Sequence, residues 1–137
     1  PETLTLSFSG GISVDLPVKQ VEYTDLLKQS DFISLHVPFL DRPAIGMAEF
    51  ALLKDGVGLV NASRGGVIDE LALVEALNSG KVAFAGLDVF DDEPTPRAEI
   101  LTHPKISLTP HIGAATAEAQ ERIGVELANL LIENLKK

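Results

Sequence analysis

The sequence predicts an α/β fold, a parallel sheet with helices on both faces arranged in three layers. Two observations carry this prediction. Residues 57–62 (VGLVNA) and 82–90 (VAFAGLDVF) are near-continuous apolar runs, the pattern of strands covered on both sides. Segments with helical apolar spacing lie between and after them, so strands and helices alternate along the chain. With 137 residues there is enough chain for one domain with a real core, and too little for a two-domain enzyme.

Leu4, Leu6 and Phe8 alternate with polar residues and suggest a first strand over 3–8, ended by Gly10-Gly11. Val18 and Val21 suggest a short strand over 18–22, and 25–29 one or two helical turns. Residues 31–38 (DFISLHVP) read as a strand stopped by Pro38, which has no N–H for the ladder. Ile45, Phe50, Leu52 and Leu53 fit a helix over 45–54, ended by Asp55-Gly56. After the strand at 57–62, Ser63-Arg64-Gly65-Gly66 form a loop. Asp69 caps a helix that runs to Ser79 and stops at Gly80, with Leu73, Val74 and Leu77 as its buried stripe. The strand at 82–90 is followed by an acidic, proline-containing loop over 91–96. A short strand over 106–109 ends at Pro110, and a long helix starts at Ala115 or Thr116.

Composition narrows the function. The chain is 45% hydrophobic and 23% charged, which excludes intrinsic disorder. It has no tryptophan and a net charge of −9, so neither base stacking nor phosphate-backbone binding is expected, and nucleic acid is excluded as a partner. No apolar run approaches the roughly 18 residues of a membrane span. The absence of cysteine removes disulfide and thiolate chemistry and fits a reducing, cytoplasmic setting. None of the three histidines has metal-ligand spacing, so no metal is expected. The chain has no Gly-x-Gly-x-x-Gly, P-loop or Gly-x-Ser-x-Gly motif.

In parallel α/β sheets ligands bind beyond the carboxyl ends of the strands, so the residues just after strands are the informative ones. Arg64 there is either a carboxylate holder, through its planar fork, or a surface partner of Asp69 or Glu70. His111, between Pro110 and a loop glycine, is either an acid/base with Glu93 as its carboxylate partner or a loop-to-helix cap. Asp88 interrupts an apolar strand and must find a donor, structural or from a ligand. His36 and His103 read as ordinary structural histidines.

The segments DFISLHVP (31–38), LVNASRGGVIDELALVEALNSG (59–80), AGLDVFDDEP (85–94), LTPHIGAAT (108–116) and EAQERIG (118–124) carry a resemblance. In their order and spacing the chain resembles the D-isomer-specific 2-hydroxyacid dehydrogenases over roughly residues 18–130. The resemblance implies a Rossmann-like half domain, a partial NAD-binding domain over 1–137. The first βαβ phosphate-binding unit and the substrate domain would be absent. It implies NAD-dependent oxidation or reduction of a small 2-hydroxy or 2-oxo acid, 3-phosphoglycerate on the route to serine being the nearest match. Arg64, Glu93 and His111 would be catalytic, with Arg64 on the substrate carboxylate and Glu93 supporting His111 as acid/base. Val37, Pro38, Ala62, Ser63, Arg64, Asp88, His111, Ile112, Gly113 and Ala114 would contact the cofactor, Asp88 through the nicotinamide carboxamide. The stretch after Pro38 (FLDRPAIG) is shorter than the family pattern. For the chain by itself, the same resemblance implies weak or absent NAD binding and an inactive half domain that folds and self-associates. Its open sheet edge is expected to be filled by residues 3–8 or 18–22, or by a second copy.

Overall fold

The computed structural model describes residues 2–135. Its centre is a four-stranded parallel sheet of β3 (Phe32–Leu35), β4 (Val57–Asn61), β5 (Val82–Leu87) and β6 (Ile106–Leu108), in the order β3-β4-β5-β6. Each strand reaches the next through a helix: α2 (Met47–Leu52), α3 (Glu70–Ser79) and the single turn α4 (Ala98–Leu101). This is the alternation that the apolar runs predict, and it places all four carboxyl ends along one rim. α1 (Tyr23–Gln29) precedes β3.

The pleat divides the sheet into two unlike faces. Ile33 pairs with Leu59, Leu35 with Asn61, and Ala85 and Leu87 with Ile106 and Leu108, all pointing to one side. Leu27, Phe50, Leu73, Leu77 and Ile100 from the four helices, with Leu53 just past the end of α2, cover that side in a single core. α3 shows why the sequence reads clearly here. The Asp69 side chain accepts from the Leu71 and Ala72 N–H groups, and Gly80 ends the helix at φ 81°, a conformation glycine adopts without strain.

The opposite face departs from the three-layer expectation. Phe32, Val60 and Phe84 are exposed on it, and Phe32 retains 73% of its accessible surface. α5 (Ala117–Leu135) begins beyond the strand ends, and among its described residues Ala119 alone is buried. It does not pack on the sheet, so Ile123, Leu127, Leu130 and Leu131 stay exposed. The helices therefore form one layer against the sheet.

The N-terminal segment also differs from expectation. β1 (Glu2–Phe8) and β2 (Ile12–Val18) form a separate antiparallel hairpin, and residues 19–22 are not a strand. Gly10 and Gly11, at φ 98° and 79°, turn the chain so tightly that the nearest available partner for β1 is β2. Leu4 faces Leu16, Leu6 faces Val14 and Phe8 faces Ile12, so the apolar positions pair with one another. The outer edge of β3 is paired to no strand among the described residues. Neither 3–8 nor 18–22 fills it.

Candidate active site at the strand ends

β4 ends on Asn61, whose side chain is 3% exposed and fully engaged. Its Oδ1 accepts from the Ser63 N–H (3.1 Å) and Oγ (2.8 Å), and its Nδ2 donates to the Arg64 carbonyl (2.9 Å). Asn61 thus moulds the loop that carries Arg64. The sequence reading missed it; the available signal was a lone amide closing an otherwise apolar strand, which must be satisfied once buried. Arg64 itself is exposed, and its guanidinium donates to the Ser63 carbonyl (2.6 Å). It pairs with no carboxylate among the described residues, because Asp69 caps α3 and Glu70 lies against Arg97 (3.7 Å). The surface-pair alternative for Arg64 is therefore not realised, and its fork is open to an incoming carboxylate.

β5 delivers Asp88, 6% exposed. Oδ1 accepts from Thr109 Oγ1 (2.5 Å) and the Ile112 N–H (2.9 Å), and Oδ2 from the Gly113 N–H (2.7 Å). Burial by itself would raise the carboxyl, but these three donors outweigh it, with the nearby His111 adding to them, and hold Asp88 below the ordinary carboxylate value. The donor that the sequence requires is structural, and the loop after β6 is clamped to β5. Oδ2 keeps one lone pair free for a further donor.

On that clamped loop His111 has φ 54°, the left-handed region where a non-glycine residue is uncommon. Its Nδ1 lies 2.7 Å from Glu93 Oε2, and Glu93 Oε1 accepts from the Phe90 N–H (2.9 Å). The bond to His111, followed by that from Phe90, lowers the Glu93 carboxyl below its ordinary value. With the carboxylate on Nδ1, the imidazole has a fixed orientation and its other nitrogen, Nε2, is left for proton exchange. Beside the pair opens a cleft of about 500 Å³, bounded by Phe90, Pro94, Leu101, Leu108 and Pro110.

The remaining predicted residues occupy the same rim. Val37 is half-buried and Pro38 exposed, both beyond β3, which ends at Leu35 rather than 38. Ala62 is exposed and Ser63 half-buried in the loop after β4. Ile112, Gly113 and Ala114 follow His111, and the Ala114 carbonyl accepts from Gln120 (2.7 Å). A Cβ on Gly113 would lie 2.9 Å from Asp88 Oδ2, so only glycine leaves that carboxylate approachable. An amide-bearing cofactor ring fits this place: it finds a carboxylate with a spare lone pair, a residue without a side chain, and exposed loop backbone. His36 bonds Ser34 (2.8 Å) and His103 lies near Asn78 (3.4 Å), both structural contacts outside this group.

Residues 11–113 match the family model for the D-isomer specific 2-hydroxyacid dehydrogenase, NAD binding domain. The chain is 51% identical over 126 residues to a hydroxypyruvate reductase of Thermotoga maritima, covering 88% of this chain and 41% of that protein. It is 43% identical over 118 residues to D-3-phosphoglycerate dehydrogenase of Mycobacterium leprae, covering 85% of this chain and 22% of that one. Among solved structures, a glyoxylate reductase from Paecilomyes thermophila superposes with a TM-score of 0.75 at 44% identity, over 85% of this chain and 36% of its own. The chain therefore spans less than half the length of the relatives it matches.

Proposed function

Because the chain belongs to the D-isomer-specific 2-hydroxyacid dehydrogenases and matches their NAD-binding domain, we propose that it supplies the carboxylate-binding and acid–base groups for NAD-dependent interconversion of a small 2-hydroxy acid and its 2-oxo acid. One observation carries this reading. The Glu93–His111 pair, at 2.7 Å, stands on the same sheet rim as an Arg64 with no carboxylate partner among the described residues. The nicotinamide supplies the hydride chemistry when bound. Arg64 binds the substrate carboxylate with two parallel bonds and thereby orients the adjacent carbonyl. His111 Nε2 gives a proton to that oxygen on reduction and takes it back on oxidation, while Glu93 on Nδ1 stabilises the charged imidazole. Asp88, held ionised by its donors, keeps the His111 loop in place and offers Oδ2 to the carboxamide. Val37, Pro38, Ala62, Ser63, Ile112, Gly113 and Ala114 line the cofactor side.

The named relatives differ in substrate, so 3-phosphoglycerate stands with hydroxypyruvate and glyoxylate as the acids to compare. Self-association through the open edge of β3 belongs to the same reading, as does a cytoplasmic location. Unpaired strand edges recruit other strands, and sedimentation at several concentrations reads the association directly.

The function is tested in two settings, the chain by itself and a chimera that carries residues 11–113 within the Thermotoga maritima relative. NADH oxidation is followed at 340 nm with glyoxylate, hydroxypyruvate and 3-phosphohydroxypyruvate. In the chimera, His111→Asn is expected to lower kcat by about 10²- to 10⁴-fold, the usual contribution of a general acid–base group. Arg64→Gln is expected to raise KM and, because the carbonyl is no longer oriented, to lower kcat as well. A His111→Asn chimera as fast as its parent refutes the acid–base assignment.

A further inference from the structure

Glu70 lies outside the reactive set, yet its carboxylate is 4% exposed at the start of α3. A buried carboxylate is costly unless it is partnered. Glu70 Oε1 accepts from the Asp91 N–H (2.9 Å), whereas Oε2 has no hydrogen bond and faces Arg97 at 3.7 Å. Asp91 then turns its own side chain the other way. Its Oδ1 accepts from the Gly66 N–H (2.7 Å), two residues after Arg64. A third contact reinforces the junction. Gly65 sits so close to the Phe90 carbonyl that a Cβ would lie 1.9 Å from its oxygen. Phe90 and Asp91 open the loop that carries Glu93, and the Phe90 N–H is itself bonded to Glu93. The loop presenting Arg64 and the loop presenting Glu93 are therefore joined through two acidic side chains, one buried and one exposed.

We propose that Glu70 and Asp91 are positioning residues that fix the Arg64 loop against the Glu93–His111 pair. The relation between anion holder and acid–base pair is then built into the fold before substrate arrives. The proposal rests on the proposed roles of Arg64, Glu93 and His111. Preorganisation of this kind matters because a misplacement of about 1 Å between reacting groups costs up to 10²-fold in rate. One acceptor oxygen suffices for this work, the Oε1 that takes the Asp91 N–H.

The test uses the chain itself and does not require turnover. Glu70→Ala, Glu70→Gln and Asp91→Ala are compared by ¹³C titration of the Glu93 carboxyl and by hydrogen exchange at the Gly66 amide. Glu70→Ala frees the Asp91 backbone. The Glu93 midpoint is expected to rise towards the ordinary carboxylate value, and Gly66 exchange to quicken by about tenfold or more. Glu70→Gln keeps an acceptor for the Asp91 N–H and is expected to leave Glu93 unchanged. Asp91→Ala, an exposed site where loss of folding is not expected, should quicken Gly66 exchange alone. A folded Glu70→Ala with Glu93 and Gly66 unchanged overturns the proposal, as does a Glu70→Gln as disruptive as Glu70→Ala. If Glu70→Ala does not fold, an unchanged Gly66 in Asp91→Ala overturns it. Gly66 exchange reports on the loop junction whether or not Glu93 serves His111. A native Glu93 that titrates as an ordinary carboxylate overturns the acid–base reading instead.

Discussion

Asp88→Asn is the sharpest probe of how the site is held. Asparagine keeps the shape of the side chain but replaces one acceptor oxygen with an NH₂ group. The Thr109 and Ile112 donors converge on Oδ1 while Gly113 alone occupies Oδ2. If the amide oxygen takes the Oδ1 position, its NH₂ meets the Gly113 N–H, donor against donor. The part-buried bond from the Gly113 N–H is lost, and the two bonds that survive change from charge-assisted to neutral. At about 1.5–3 kcal/mol for the lost bond to a charged group and somewhat under 1 kcal/mol for each weakened bond, the variant is expected to lose about 2–4 kcal/mol. Its pH dependence has a definite sign. A carboxyl whose folded pKa is depressed contributes stability that is complete above its unfolded value and lost as pH falls through the folded one. The gap between native and variant proteins, measured by urea unfolding followed by far-UV circular dichroism, should therefore be largest near neutrality and close in acid, below the ordinary aspartate range. A gap smaller than about 1 kcal/mol at pH 7, or one that is constant down through the acid range, refutes the clamp, since each bond to a charged group is worth more than that.

Further expectations concern the Arg64 loop and the helix behind it. Gly65→Ala places a methyl group inside contact distance of the Phe90 carbonyl, which is backbone and cannot swing aside, so chemical denaturation should show a loss above about 3 kcal/mol or a displaced loop in the ¹H–¹⁵N spectrum. Asp69→Ala removes the two side-chain bonds at the start of α3 and should cost about 1 kcal/mol, read as a lower urea midpoint at unchanged slope. Leu73→Ala opens the core at a fully buried position and should cost about 2–5 kcal/mol by the same measurement.

The parts of the molecule that were legible in the sequence are those where local and tertiary demands agree. β4 and α3 announce themselves because Leu59, Leu73 and Leu77 are fully buried and the helix has its own start and stop residues. The candidate site drew notice for a related reason. Arg64, Asp88, Glu93 and His111 are polar residues at places where apolar strands end, and a polar residue there needs a purpose. Strand ends were blurred where the apolar run continues past the ladder, so β3 stops at Leu35 and β5 at Leu87 while Val37, Val89 and Phe90 remain buried or half-buried in loops. The expected strand over 18–22 is displaced to β2, where Ile12, Val14, Leu16 and Val18 alternate, because the turn at Gly10-Gly11 pairs that stretch with β1. The Glu70–Asp91 junction was illegible in principle. It joins residues 21 apart through a backbone N–H, and nothing in the identity of either residue encodes that meeting.

The left-handed backbone at His111 has a consequence for how the protein balances durability against chemistry. Outside glycine this conformation costs roughly 1 kcal/mol or more, and it persists only where its surroundings insist on it. Here the insistence comes from the Asp88 bonds to the two residues that follow. A glycine at position 111 would sit there without strain, so the relief is expected to offset part of what His111→Gly loses with the bond to Glu93, the balance being read as the shift in Tm. The strained backbone and the 2.7 Å contact to Glu93 therefore sit on one residue, and replacing it with glycine removes the cost and the gain together.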